Sequence, residues 1–183
     1  MTNNTEQKII DSAIKVFSER GYAGATTMDI AQESGFSEKT LFRKFKTKEN
    51  LFNMTILQKG MEMGKFFEES VLVDKKFKDK RDFLETLMKN FRKLGDLHFE
   101  FFHVSITERT RIHEPIQAEF NFKLCEYLKK YIPNVEIDYM TFGLTISAFI
   151  YMTITEYNLG HQVIDLDTVL EKFIDILLLT IES

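Results

Sequence analysis

Between Ser37 and Lys48 the chain sets five bases, Lys39, Arg43, Lys44, Lys46 and Lys48, against a single acid, Glu38. Lys and Arg donate to guanine O6 and N7 and to phosphate oxygens, while a carboxylate accepts from a cytosine amino group. The island stands in an acidic chain. Formal net charge is −4, with residues 1–50 carrying +1 and the remainder −5. A solvated helix face also produces such a cluster, so its position in the fold has to decide its chemistry.

Other polar residues offer less. His98, His103 and His113, with Glu108 and Glu114, suggest a metal, but the histidine spacings do not put two imidazoles on adjacent helical turns. Without an HExxH pattern or a second cysteine, neither a metal site nor a cofactor is expected. Cys125 alone excludes an internal disulfide framework and suits a reducing compartment. No Gly-rich phosphate loop or GxSxG occurs, and Cys125 with a distant His makes no nucleophile, so no enzyme is expected.

The elements that would hold the basic island are helices. The chain has 183 residues, 44% of them hydrophobic and 28% charged, with 8 Gly and only 2 Pro. That composition excludes a fully disordered chain and favours long helices over a turn-rich β fold. Asn4 with Gln7 predicts a capping-box-like start to a first helix, striped by Ile9, Ile10, Ala13, Ile14 and Phe17 and stopped by Gly21. A short second helix runs from Thr27, its N-cap, to Ser34, with Ile30 and Ala31 inward. After Gly35-Phe36-Ser37, a third covers Glu38–Lys44, capped by Ser37 and anchored by Leu41 and Phe45. Two short helices joined by a three-residue turn containing Gly make a helix-turn-helix.

Thr47 caps a fourth helix that extends past Glu69. Charged residues 74–82 read as a loop or helix start, followed by helices over Phe83–Leu97 and Phe99–Thr110. Another begins near Pro115 and reaches Tyr131. The last two run from Asp138 to about Asn158, with Gly160 as stop, and from a cap at Asp167 to about Ile181. The prediction is an all-α fold of about nine helices. Tyr139–Thr155 lacks ionised side chains but falls short of the roughly 20 apolar residues a membrane span needs. Its five Thr and Ser residues favour a buried helix, and the polar opening MTNNTEQKIID predicts no secretory leader, so the expected location is the cytoplasm.

Taken in order, Thr26-Thr27-Met28-Asp29-Ile30-Ala31, Gly35-Phe36-Ser37, Thr40-Leu41-Phe42-Arg43-Lys44-Phe45 and Lys48-Glu49-Asn50-Leu51-Phe52 closely resemble the tetracycline-repressor (TetR) family signature. The resemblance covers about the first 55 residues. It implies a DNA-binding head, residues 1–50, and a ligand-binding and dimerisation domain, residues 51–183. The candidate DNA-contacting residues are Thr27, Met28, Ser37, Glu38, Lys39, Thr40, Phe42, Arg43, Lys44 and Lys48. Of these, the positions of Thr27, Thr40, Phe42, Lys44 and Lys48 commonly face the DNA backbone in that family.

Two positions carry alternatives. Phe42 stands where the family usually has Tyr and cannot hydrogen-bond a phosphate; it either packs on a thymine methyl or belongs to the three-helix core. Glu38 either reads a cytosine amino group or pairs internally with Lys39 or Arg43.

Phenylalanine is abundant, 18 residues, and crowds the middle of the chain with several Met. That is either a large aromatic core or the lining of an adaptable apolar cavity. The resemblance implies an effector pocket here, with Met61, Phe91, Phe102, Phe120 and Tyr151 as candidates for a small apolar or aromatic molecule. The last two helices are apolar on more than one face, which asks for a partner. The resemblance implies a two-fold homodimer, for which Gly143, Ser147, Phe149, Phe173 and Leu177 are candidates. Glu156 is a surface, interface or pocket residue. The expected function is an effector-responsive regulator, a repressor, acting on near-palindromic double-stranded DNA. The competing expectation is an all-α small-molecule carrier or adaptor that keeps the helix-turn-helix as scaffold.

Overall fold

The computed structural model describes residues 4–108, 113–160 and 165–182. Among them are nine α-helices and one π-turn: α1 Asn4–Gly24, α2 Thr27–Ser34, α3 Glu38–Phe45, α4 Lys48–Phe66, the π-turn Phe67–Val71, α5 Lys80–Leu97, α6 Phe99–Glu108, α7 His113–Tyr131, α8 Tyr139–Asn158 and α9 Leu166–Glu182. The all-α expectation is met. No helix of the described residues is long and apolar enough to cross a membrane. The chain divides into two compact units, one of Met1–Glu62 with Glu100–Ile116, the other of Met63–Phe99 with Gln117–Ser183.

In the first unit α1 packs on α2, and α2 on α3. The expected stripe of α1 is buried, together with Val16. Gly21 does not end α1; it kinks it at φ +67°, ψ 168°, and the helix resumes to Gly24. Gln7 donates to Asp11 and Glu62 and accepts from Gln58. Lys59 donates to Asp11 and Glu62 in the same cluster, so a polar seam ties α1 to α4. Burial alone would raise the Glu62 carboxyl, but Lys59 and the amides of Gln58 and Gln7 outweigh it and hold it below the usual range.

The cap of α2 is Thr26, one residue before the expected Thr27. Its hydroxyl accepts from the Asp29 N–H, and Asp29 accepts from the Thr26 N–H. This reciprocal pair leaves the Thr27 side chain free of capping duty. Gly35 closes α2 at φ +73°, and Ser37 caps α3 as expected, accepting from the Thr40 N–H at 3.2 Å. α3 runs one residue further than expected, to Phe45, and ends at Lys46 with φ +68°. Thr47 then caps α4 through the Asn50 N–H at 3.0 Å.

In the second unit α5 packs against α8, α9 and the π-turn. The extension past Glu69 occurs, but as a wider coil closed by the Leu72 N–H donating to the Phe67 carbonyl at 3.0 Å. α5 starts at Lys80, three residues before the expected Phe83, because Asp79 caps it. Gly95 lets α8 approach closely: a Cβ there would lie 2.1 Å from Ile154 Cδ1. α9 is capped by Asp165, which accepts from the Thr168 N–H and hydroxyl, and not by Asp167, whose carboxylate is bound to Arg92. The expected end of α6 at Thr110 lies outside the described residues.

Candidate nucleic-acid interface

α3 is held by its apolar side. Leu41 and Phe45, one turn apart, are fully buried, which orients the rest of the helix outward. Lys39, Phe42 and Arg43 are all exposed, at the i, i+3 and i+4 spacing of one face. Phe42 is 42% exposed, so its side chain is not the core aromatic that the sequence left open. Met28 of α2 is 64% exposed. An apolar ring left in water on one helix face with two exposed bases fits contact with base methyl groups and phosphates.

The remaining candidates are tied down. Ser37 and Thr40 share a hydrogen bond at 3.0 Å. Lys44 is largely covered and lies 3.8 Å from Glu6 of α1, which pins α3 to α1. Lys48 is half-buried, its Nζ 4.5 Å from the centre of the Tyr22 ring. Glu38 pairs with neither Lys39 nor Arg43 in the bonds seen; its carboxylate accepts the Thr27 hydroxyl at 2.5 Å. Tyr22, Glu6 and Thr26 escape a sequence reading because their partners lie in other helices or depend on a one-residue choice of cap.

The C-terminal candidates divide between the units. Met61, 68% exposed, and Phe102, half-buried against Phe101, belong to the first. Phe91 and Phe120 meet in the second, where Phe120 stacks on Phe67 at 4.1 Å and lies 6.1 Å from Phe91. Tyr151 is half-buried on α8. Of the dimer candidates, Gly143 is buried against Leu124 and Leu128 of α7 in the same chain, and Ser147 donates to the Gly143 carbonyl. Phe149 stacks on Phe173 at 3.7 Å, and Leu177 is buried. The apolar side chains left exposed on α8 and α9 are different ones, among them Leu144, Met152, Ile176 and Leu179.

An outward-facing basic helix, fixed by two buried residues behind a Gly turn, is a helix-turn-helix head in an all-α protein. Residues 9–54 match the model of bacterial regulatory proteins of the tetR family. The chain is 33% identical over 66 residues to the uncharacterized HTH-type transcriptional regulator YvkB of Bacillus subtilis, covering 36% of this chain and 35% of that one. It is 34% identical over 71 residues to the HTH-type transcriptional repressor AcnR of Corynebacterium glutamicum, covering 39% and 38%. The matched stretch thus spans little more than a third of these relatives' own length.

Across nearly the whole chain the fold is similar to that of the fatty acid degradation regulator FadR from Bacillus halodurans, with TM-score 0.72, 20% identity and coverage of 97% and 96%. FadR from Bacillus subtilis, solved in complex with stearoyl-CoA, gives 0.71 and 20%, with coverage of 93% and 96%. Residues 9–54 thus form an N-terminal domain of the tetR type.

Proposed function

We propose that this chain is a homodimeric repressor in the cytoplasm that binds near-palindromic double-stranded DNA through α3 and is released by a small apolar or aromatic effector. One observation carries the DNA-binding part: Lys39, Phe42 and Arg43 stand exposed on one face of a helix that Leu41 and Phe45 anchor. Exposed apolar residues on α8 and α9 support self-association, since Leu144, Met152, Ile176 and Leu179 gain from being covered. The Phe67, Phe91 and Phe120 cluster supports an effector with an apolar body. The stearoyl-CoA of B. subtilis FadR makes fatty acyl chains one sensible class to screen, beside aromatics.

Substitution separates phosphate contacts from base contacts. Lys48→Ala is expected to weaken binding to every duplex alike and to lower the salt slope by about one ion. Lys39→Ala is expected to cost about 1–3 kcal/mol at particular base pairs and to relax preference there. Titrations of random and selected duplexes over a range of salt check both. Binding unchanged in both variants would leave the carrier alternative.

The dimer has its own test. Sedimentation velocity at micromolar concentration should give twice the 21.6 kDa of the chain. Leu144→Glu with Ile176→Glu should shift it to monomer, because a buried unpaired carboxylate is costly. A wild-type chain that sediments as monomer defeats this part of the proposal.

A further inference from the structure

The acid at the start of the recognition helix has an unexpected partner. Glu38 is the first residue of α3 and Thr27 the first residue of α2, and the Thr27 hydroxyl donates to the Glu38 carboxylate. The first side chains of both helices therefore meet through one carboxylate. Thr26, not Thr27, caps α2, so the Thr27 hydroxyl has no local backbone duty and is spent on this bond. Both side chains are only half-buried, so an outside group can reach them.

The geometry points to Glu38 as a built-in competitor for a DNA phosphate: it occupies the Thr27 hydroxyl in free protein and must yield it when duplex docks. This rests on the DNA-binding reading above and adds a selectivity device to it. A phosphate oxygen offers Thr27 the same kind of acceptor that the carboxylate does. On any duplex the exchange costs the Thr27–Glu38 bond and brings a carboxylate near phosphates, which repel it. Only where the freed carboxylate meets an amino group on a base edge, the N4 of cytosine or the N6 of adenine, is that cost returned. Non-specific binding is thus penalised and binding at matching sequence is not. Specificity comes from disfavouring the wrong sites as much as from contacts at the right one.

A double-mutant cycle on the full-length chain tests this, read by fluorescence anisotropy with a random-sequence duplex and by selection from a random pool. Helical content and melting of each variant confirm that it is folded. Glu38→Ala should tighten random-duplex binding by about fivefold at low salt, and Glu38→Gln by less, because the amide oxygen still accepts from Thr27. Thr27→Val should weaken random-duplex binding in the wild-type background only by the small difference between the phosphate bond gained and the Glu38 bond given up. In the Glu38→Ala background it should cancel much of the gain. Pools selected with Glu38→Ala should lose a cytosine or adenine preference that wild type shows.

Equal effects of Thr27→Val in both backgrounds, or no tightening by Glu38→Ala, would overturn the competitor role while leaving DNA binding intact. So would unchanged base preference in the selected pool. If wild type binds no duplex in a salt-dependent way, the DNA-binding reading itself fails, which is a different result.

Discussion

Phe45→Ala is expected to destabilise the protein by about 3–5 kcal/mol, a large share of the total stability of a typical domain. Phe45 is fully buried, one turn after the equally buried Leu41, and closes the small core beneath α3. Removing the ring leaves a cavity that so small a core cannot refill without giving up other packing. DNA binding should be lost with it, because Leu41 and Phe45 behind α3 orient its exposed face. The comparison that gives this weight is Phe42→Ala on the same helix. Phe42 is 42% exposed, so its truncation should change stability by no more than about 0.5 kcal/mol. Urea melts followed by circular dichroism read both. A similar loss for the two variants would mean that α3 is not held from one side.

That contrast also marks how far the sequence could be read. The helix-turn-helix was legible because its signals are local: Gly35 at positive φ, Ser37 as cap, Leu41 and Phe45 one turn apart. The helix pattern of α5 to α9 was legible for the same reason, from Asp138, Gly160 and apolar periodicity. Caps slipped where two candidates stood close together. Thr26 displaced Thr27 because Asp29 completes a reciprocal pair with it, and Asp165 displaced Asp167 because Arg92 takes the latter.

Long-range pairings left no trace in spacing. Nothing near Glu38 pointed to Thr27, nothing near Lys44 to Glu6, and nothing near Lys48 to the Tyr22 ring. The same holds for the C-terminal aromatics. Composition predicted a Phe-rich interior, but only packing could say that Phe120 stacks on Phe67, which the sequence did not single out for that role. Gly143 was read as a point of close helix approach, and spacing could not say that Leu124 and Leu128 of its own chain are what approach it.

The kink in α1 gives the other large expected effect. Gly21 sits at φ +67°, ψ 168°, a region essentially reserved for glycine, where any side chain costs about 1–3 kcal/mol. A second term adds to this. The Tyr22 N–H donates to Glu108 Oε1 of α6 at 2.7 Å, and a Cβ on Gly21 would stand 3.1 Å from that same oxygen. Gly21→Ala therefore strains the backbone and crowds the carboxylate that satisfies the next amide, a charge-assisted bond worth about 1.5–3 kcal/mol. The Tyr22 ring packs edge-on against Phe52 and lies under Lys48, so a shift there also disturbs a candidate phosphate contact.

Denaturant melts of Gly21→Ala, Glu108→Ala and the double variant separate the two terms. Gly21→Ala should lose about 3 kcal/mol in the wild-type background and less in Glu108→Ala, where the crowded oxygen is gone and only backbone strain is left. An equal loss in both backgrounds would assign the whole effect to the dihedral angles. No loss in either would mean that α1 can pass through Gly21 without the kink, and that the Glu108 bond to Tyr22 does not fix the path of the chain into the helix-turn-helix.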